Sequence, residues 1–341
     1  MEPPSISIVI CNWNGRHFLE ECLESLKKQS FRDFEVILVD NGSTDGSVKL
    51  LEAKYSDFVH LIKLDRNYGF AGGNNRGIEH SKGKYVALLN NDTCIDERWL
   101  EELYEVMERH PEVGMCASKL LVYDQPDRID AVGHLMYPDG LNRGRGRFEK
   151  DAGQYDRLEE VFFAPGCGAI YARRMLDQIG LFDEDFFSYG DDTDIGLRAR
   201  LAGWMCLYVP TAVVRHKISG SAGWYSEFKA FHVERNRVWI AIKYFPTIPL
   251  ILSVYHTVVR FALQAYGAIA GKGASGQFAS ESSAWSLAVV LFRAYCSALR
   301  GVPRMWSKRR QIRRLQKVDD KEFMRWLRKY RISAREIALK K

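Results

Sequence analysis

The sequence predicts an α/β fold with a mostly parallel central sheet, followed by a C-terminal basic and apolar helical appendage. Three observations lead there. Apolar, β-branched runs alternate with stretches of helical spacing through the first third of the chain, the rhythm of β-α-β units. Each polar cluster begins where an expected strand stops, and ligands of such sheets gather at the carboxyl ends of the strands. From about Val238 the composition turns apolar and basic, which sets residues 238–341 apart from 1–237.

Taken in order, Ile6–Cys11 is a short β-branched run, and His17–Gln29 follows with apolar residues at helical spacing. Phe34–Val39 is the second strand, ending in the turn-rich DNGSTDGS. Ser47–Tyr55 suits a helix, Val59–Leu64 a strand and Gly73–His80 a helix. Tyr85–Leu89 is another apolar strand, Asp96–Arg109 is helical and Val113–Leu121 returns to strand. Met205–Val209, continuing to Val214, reads as a later strand.

The 341 residues are 46% hydrophobic and 27% charged, globular values that exclude disorder, collagen and disulfide miniproteins. Seven cysteines (Cys11, Cys22, Cys94, Cys116, Cys167, Cys206, Cys296) are scattered without a C-x-x-C pair. They read as reduced core thiols of a cytosolic compartment, against a zinc ribbon or a disulfide framework. The start, MEPPSISIVICNWNG, has neither a basic n-region nor a long apolar h-region, so no signal peptide is expected.

Charge is uneven. Residues 241–341 hold 20 Lys/Arg against 5 Asp/Glu, net +15, whereas residues 1–240 hold 29 against 38, net −9. The rear therefore calls for an anionic partner, a membrane surface or a nucleic acid. Tyr244–Val259 is a 16-residue stretch without a charged side chain, broken by Pro246 and Pro249 and ended by Arg260. It is short for a membrane span. Ser253, His256, Thr257, Arg260 and Gln264 share one helical stripe, with Ile251, Val254, Tyr255, Val258 and Ala262 elsewhere. That pattern suits a helix lying in an interface or packed on another helix. After a Gly/Ser-rich break, Arg304–Lys317 carries seven Lys/Arg and no acidic residue.

The segment YVALLNNDTCID delivers Asn90, Asn91 and Asp92 to the end of a strand. A carboxylate there can hold a hard cation and the amides can bond a sugar or phosphate, although Asp92 can equally cap the following helix. FFSYGDDTDIGLRARLAGW sets Asp191, Asp192 and Asp194 before a helix. Satisfaction of the helix dipole and an ordinary ion pair account for such residues too. Yet Asp183–Asp194 holds six carboxylates among Phe182, Phe186 and Phe187, a crowding that can raise a pKa and allow general-base work. His216, after a strand, is a structural histidine or the completion of a carboxylate metal site. RNYGFAGGNNRG is a loop entering a helix, able to present backbone N–H groups to phosphates, but it matches neither the dinucleotide nor the P-loop pattern. Arg143, Arg145 and Arg147 lie among glycines and suit a mobile loop over a diphosphate or a solvated surface loop.

In this order ICNWNG, VDNGSTDGS, RNYGFAGGNNRGI, LLNNDT, GRGRFEKDAGQYD, PGCGAIYARR, FFSYGDDTDIGLRARLAGW and the later His216 resemble the family 2 glycosyltransferases. The similarity is to the rhamnosyltransferase-like members of bacterial surface polysaccharide synthesis and covers roughly residues 5–235. The resemblance implies a GT-A fold, a nucleotide-binding α/β sandwich, over residues 1–237. It places Cys11 and Trp13 where the first strand meets the nucleotide base, and Asp40 on the base or its ribose. Asn67 and Asn74 would line the nucleotide sugar. Asn90 and Asp92 occupy the outer positions of the family's D-x-D motif, with an amide in the first place, so Asp92 is left as the main metal ligand and His216 matches a third-ligand position. The family's Glu-Asp pair appears as Asp191–Asp192, which makes Asp192 the base.

The same resemblance implies an inverting transfer from a nucleoside diphosphate sugar, dTDP-L-rhamnose ranked first and UDP-hexoses or UDP-galactofuranose next, with Mg2+ or Mn2+. The acceptor would be a lipid-linked glycan, the location the cytoplasmic side of the cell membrane with peripheral attachment through residues 238–341, and a homo-oligomer is possible. A sugar nucleotidyltransferase would open with a G-x-G-T-R-like loop where CNWNGRHF stands. A nucleic-acid protein is disfavoured by the apolar runs of the rear and the acidic front.

Overall fold

The computed structural model describes residues 2–217, 226–273 and 284–340. The chain divides into two compact units, one of Met1–Gly133, Gly144–Arg200 and Trp204–Ser221, the other of His134–Arg143, Leu201–Gly203 and Ala222–Lys341.

The elements of the first unit are β1 (Ile6–Asn12), α1 (Arg16–Lys27), β2 (Phe34–Asp40), α2 (Ser47–Lys54), β3 (His60–Lys63), α3 (Gly69–His80) and β4 (Tyr85–Leu88). β5 (Thr93–Ile95), α4 (Trp99–Arg109), β6 (Val113–Val122) and β7 (Gln125–Ala131) come next. Beyond a hairpin of β8 (His134–Met136) and β9 (Asn142–Gly144) follow β10 (Glu159–Glu160), β11 (Ala169–Ala172), α5 (Arg173–Ile179), α6 (Asp191–Leu201) and β12 (Met205–His216). The sheet runs β10-β12-β6-β11-β4-β1-β2-β3, with β5 on β12 and β7 on β6. β4, β1, β2 and β3 are mutually parallel, as are β12 and β6. β11 is antiparallel to both β4 and β6, so the sheet is mixed.

From β1 the chain runs outward to β2 and β3 and then returns on the other side of β1 as β4. Strand order reverses there, and at such a switch the carboxyl ends of the strands leave a crevice for a ligand. The β1 side chains Ile6, Ile8, Val9 and Ile10 are fully buried, each stabilising the fold by about 1.5–3 kcal/mol relative to exposure.

α3 starts at Gly69 and not at Gly73. Glycine disfavours a helix by about 1 kcal/mol per residue, but packing overrides that here. A Cβ on Gly73 would lie 2.2 Å from Cys11 Sγ, and one on Gly77 2.3 Å from Val9 Cγ1. Only glycines allow α3 to sit this close to β1.

The second unit holds α7 (Glu227–Tyr244), α8 (Thr247–Ile269), α9 (Ala284–Leu315), α10 (Asp320–Lys329) and α11 (Ala334–Leu339). The expected division at 237/238 falls inside α7, a continuous helix capped by Ser226, whose hydroxyl accepts from the Lys229 N–H at 3.2 Å. α8 has 23 residues, more than the uncharged run implied. Among the described residues it is the one helix long and apolar enough to cross a membrane, with a mean hydropathy of 1.3 and 11% of that window buried.

The polarity of α8 is inverted. Ser253 and Arg260 are buried, whereas Ile251, Val254, Tyr255 and Val258 are between 62% and 67% exposed. Arg260 donates through Nε to Asp139 Oδ2 at 2.8 Å and through Nη1 and Nη2 to the two oxygens of Glu234 at 2.8 and 3.0 Å. Arg237 adds a 2.6 Å bond to Glu234. Burial alone would raise the Glu234 pKa, but the charges of Arg237 and Arg260 overcome it and hold the carboxyl at about 2. On α9, Trp285, Phe292 and Leu299 are likewise exposed. Within the basic run, Arg309 turns inward and donates to the Ile242 carbonyl at 2.7 Å, near the end of α7.

Candidate active site

The ends of β1 and β2 are joined by a buried polar mesh. Asn12 Nδ2 donates to Asp40 Oδ1 at 3.1 Å and to Ser43 Oγ at 3.2 Å, while Asn12 Oδ1 accepts from Asn91 Nδ2 at 2.7 Å. The bond from Asn91 spans the strand-order switch. It demands Gly15, because a Cβ there would lie 2.0 Å from Asn91 Nδ2. Asp40 Oδ2 accepts from the Ser43 N–H at 3.0 Å, and Asn14 Oδ1 from the Thr44 N–H at 2.8 Å, so the NWNG and NGSTDGS turns are stitched together.

Asn41 is the hub of the neighbouring loop. Its Nδ2 donates to Asn67 Oδ1 at 3.1 Å and to the Gly69 carbonyl at 2.9 Å, with Cys11 Sγ 3.6 Å away. Its Oδ1 accepts from the Tyr68 N–H at 2.9 Å. Burial pushes the Cys11 thiol up to about 12, so it is a neutral wall. Trp13 stands exposed at the end of β1. Asn74 is buried and donates to the Phe70 carbonyl one turn back at 2.9 Å, a bond inside its own helix.

On the other side of the switch, Asp92 is buried and its Oδ1 has no hydrogen-bond partner among the described residues. The nearest charge is His216 Nε2, at 3.5 Å. His216 is fixed from behind, with Nδ1 2.8 Å from Asp130 Oδ2. Burial would lower the His216 pKa, but the carboxylates of Asp130 and Asp92 raise it to about 10. The half-buried Asn90 makes no side-chain hydrogen bond among the described residues, although its carbonyl accepts from Thr93 Oγ1 at 2.6 Å.

A buried carboxylate oxygen whose nearest charge stands off at 3.5 Å is an atom that a hard cation satisfies, and the imidazole nitrogen beside it, once deprotonated, is a common ligand. The residues present therefore fit Mg2+ or Mn2+. Among the described residues no group of three His, Cys, Asp or Glu side chains is arranged to hold a metal ion. Two protein ligands leave the remaining positions to water and to oxygens of a substrate, the usual habit of magnesium.

The carboxylate pair opens α6. The chain reaches it through Phe187 and Tyr189, both with φ near +65° (65° and 64°), and Gly190 at 81°. Non-glycine residues held there cost about 1–3 kcal/mol each and mark places where the surroundings dictate the backbone. Asp191 is buried, and its pKa is raised well above the usual range by burial first and by the Asp192 charge second. Asp192 is half-buried, accepting from the Gly166 N–H at 3.3 Å and the Thr193 N–H at 2.7 Å. Asp194 is an ordinary ion pair, 2.9 Å from Arg198. Tyr189 is pushed up to about 12 by burial first, with the charges of Asp191 and Asp92 adding to it.

The arginine segment is bonded to its surroundings along its length. Arg145 donates to Glu159 at 2.6 Å and Arg147 to Asp130 Oδ1 at 2.7 Å, and backbone bonds zip 145–149 onto 129–133. Arg143 donates to the Glu336 carbonyl at 2.9 Å. Sequence reading named Cys11, Asp40, Asn67, Asn91, Asp92 and His216, all of which take part in or border this mesh. It did not name Asn12, Asn41 or Asp130. The first two lie inside the quoted ICNWNG and VDNGSTDGS segments, which was the available signal. Asp130 carried none.

Residues 7–180 match the family described as Glycosyl transferase family 2. The chain is 28% identical over 241 residues to the N-acetylglucosaminyl-diphospho-decaprenol L-rhamnosyltransferase of Mycobacterium tuberculosis, covering 64% of this chain and 78% of that protein. It is 34% identical over 124 residues to glycosyltransferase GlyG of Streptococcus pneumoniae serotype 4, covering 36% and 41%. In fold it resembles GalNAc-T7, solved with UDP, GalNAc and Mn2+, at a TM-score of 0.59 and 16% identity over 72% of this chain and 49% of that one. It also resembles the mannosyltransferase PcManGT of Pyrobaculum calidifontis, in complex with GDP-Man and Mn2+, at 0.53 and 17% over 90% and 89%. These are GT-A glycosyltransferases, and the α/β sheet described above is of that kind. With more than half of its length matched, the chain belongs to glycosyl transferase family 2.

Proposed function

We propose that this glycosyltransferase is inverting and metal-assisted, moving L-rhamnose from dTDP-L-rhamnose to a hydroxyl of a lipid-linked glycan. The observation that carries the reading is the buried Asp92 Oδ1 beyond β4, which no close hydrogen bond reaches among the described residues and which faces His216 Nε2 across 3.5 Å. The rhamnosyl donor and lipid-linked acceptor are supported by the mycobacterial relative, which is an N-acetylglucosaminyl-diphospho-decaprenol L-rhamnosyltransferase. UDP-hexoses and UDP-galactofuranose rank behind dTDP-rhamnose.

In the reaction, Cys11, Trp13, Asp40 and Asn67 border the nucleoside, and Asn74, Asn90 and Asn91 the sugar diphosphate. Asp192 takes the proton of the acceptor hydroxyl as that oxygen bonds to the anomeric carbon and the bond to the diphosphate breaks. Its half-buried position leaves it reachable, whereas Asp191 is closed in. Asp92 and His216 would hold Mg2+ or Mn2+, which would supply positive charge against the negative charge growing on the leaving diphosphate.

Peripheral attachment to the inner face of the membrane is supported by the outward apolar residues of α8 and α9 and by the basic run Arg304–Lys317, each basic residue near an anionic surface contributing about 1 kcal/mol. A spanning α8 would carry the Arg260 ion cluster into lipid, so the reading keeps the helix in the interface.

Calorimetry with dTDP, UDP and GDP, with Mn2+ and after chelation by EDTA, tests donor and metal together. Tight dTDP binding that needs Mn2+ is expected. Preference for GDP overturns the donor ranking, and binding indifferent to chelation overturns the metal.

A further inference from the structure

We infer that Asp130, held by Arg147, is the positioning residue that aims His216 at the metal end of the site, and that the arginine segment exists to hold it. This rests on the proposed role of His216 as a ligand. The chain of contacts is Arg147 Nη1 to Asp130 Oδ1 at 2.7 Å, Asp130 Oδ2 to His216 Nδ1 at 2.8 Å, and His216 Nε2 to Asp92 Oδ1 at 3.5 Å. Asp130 is 4% exposed, and each of its oxygens has a different partner. The Asp130 carboxylate holds the Nδ1 proton and locks the ring plane, so Nε2 is the ring atom that faces Asp92 and would meet a cation once its own proton has left.

The backbone explains why the arginine is where it is. The Val132 N–H donates to the Arg145 carbonyl at 3.1 Å, the Arg145 N–H to the Gly133 carbonyl at 2.9 Å, and the Phe148 and Ile129 N–H groups to the Ile129 and Glu149 carbonyls at 2.7 and 2.9 Å. Arg147 therefore lies on a segment bonded to β7 on both sides of it, next to Phe148 with φ of 59°. The left-handed residue is tolerated because the flanking bonds over-determine the turn. Arg145, on the same segment, pairs with Glu159 and stacks 4.9 Å from the Tyr155 ring, a second anchor for the same loop. Arg147 faces the carboxylate behind the histidine.

The test measures Mn2+ binding by electron paramagnetic resonance with saturating dTDP in wild type, Asp130→Asn, Asp130→Glu and Arg147→Gln. Loss of a carboxylate behind a ligating histidine commonly costs 10–100-fold in metal affinity. Asp130→Asn should weaken Mn2+ binding by that factor and raise the KM for metal, with kcat at saturating Mn2+ changed far less. Asp130→Glu should recover part of the loss, and Arg147→Gln should shift affinity in the same direction by less. Nitrogen-15 NMR of wild type with Mg2+ and dTDP adds a readout independent of any variant's folding, and it should find the proton of His216 on Nδ1. A proton on Nε2, or Asp130→Asn binding Mn2+ as tightly as wild type, overturns the positioning role while leaving the metal reading intact. Wild type that takes up no Mn2+ with dTDP removes both.

Discussion

Two buried aspartates, one in each unit, show how differently the halves of this chain use polar groups. Asp139 in the second unit is fully enclosed and accepts from Arg260 at 2.8 Å, from the Leu141 N–H at 3.1 Å and from Thr257 at 3.4 Å. Asp92 in the first unit is almost as buried, yet no close hydrogen bond reaches its Oδ1 among the described residues, and its nearest charge, His216 Nε2, stands off at 3.5 Å. Burial of a charge is tolerated when partners surround it, and an orphaned oxygen marks a place where something else completes the shell. The apolar side chains reverse the contrast. The first unit hides its apolar strands, whereas α8 turns Ile251, Val254 and Val258 outward and its arginine inward. Unfinished polarity marks the proposed reaction site, and uncovered apolar surface marks the proposed membrane seat.

The largest effect should come from breaking the closed cluster. Arg260→Ala leaves Glu234 and Asp139 buried with fewer cations, and removal of one partner from a buried pair costs about 3–5 kcal/mol. Urea unfolding followed in the second unit should show that loss. A change under 1 kcal/mol would mean the cluster is not what holds α8 to α7.

An acid limb of intermediate size should follow from the same residues. Glu234 has its folded pKa depressed to about 2, from an unfolded value of about 4.3, so its contribution is complete above the unfolded value and lost as pH falls toward the folded one. Unfolding midpoints should fall between pH 4 and pH 2, and Glu234→Gln, destabilised at neutral pH, should show a flatter fall. An unchanged slope in that variant assigns the acid limb to other carboxyls.

The smallest effect on stability should come from the outward face. Ile251→Ser, Val254→Ser and Val258→Ser should each change the free protein by no more than about 0.5 kcal/mol, as exposed substitutions do. Combined, they should abolish flotation with anionic vesicles. Retained flotation removes α8 from the proposed contact, and conversion of a dimer to a monomer by the triple variant would assign the face to a second copy of the chain.

The first four parallel strands were legible because each is a short apolar run that stops at a polar cluster, and the clusters after β1 and β2 meet in the buried polar mesh. The start of α3 was not legible, since glycine's poor helix propensity hides a helix that needs glycines to approach Cys11 and Val9. β7, with the sequence QPDRIDA, and the two-residue β10 carry no clear alternation, and Asp130 sits in the former, 86 residues from the histidine it holds. Asn41 looked like turn punctuation between Asp40 and Gly42, and its four-way bonding depends on Asn67 and Gly69 arriving from another loop. The stripe on α8 was read correctly as a stripe, but periodicity alone does not say which face meets protein. The buried acids Asp139 and Glu234 decide that.

The proposal stands most directly on one side chain. Asp192→Asn keeps the shape of the α6 entrance and removes the proton acceptor, so steady-state turnover with saturating donor and Mn2+ should fall about 100-fold or more while dTDP binding by calorimetry stays within a few-fold of wild type. Near-normal turnover in Asp192→Asn would contradict the assignment and move the base to Asp191, the neighbour whose pKa burial already raises.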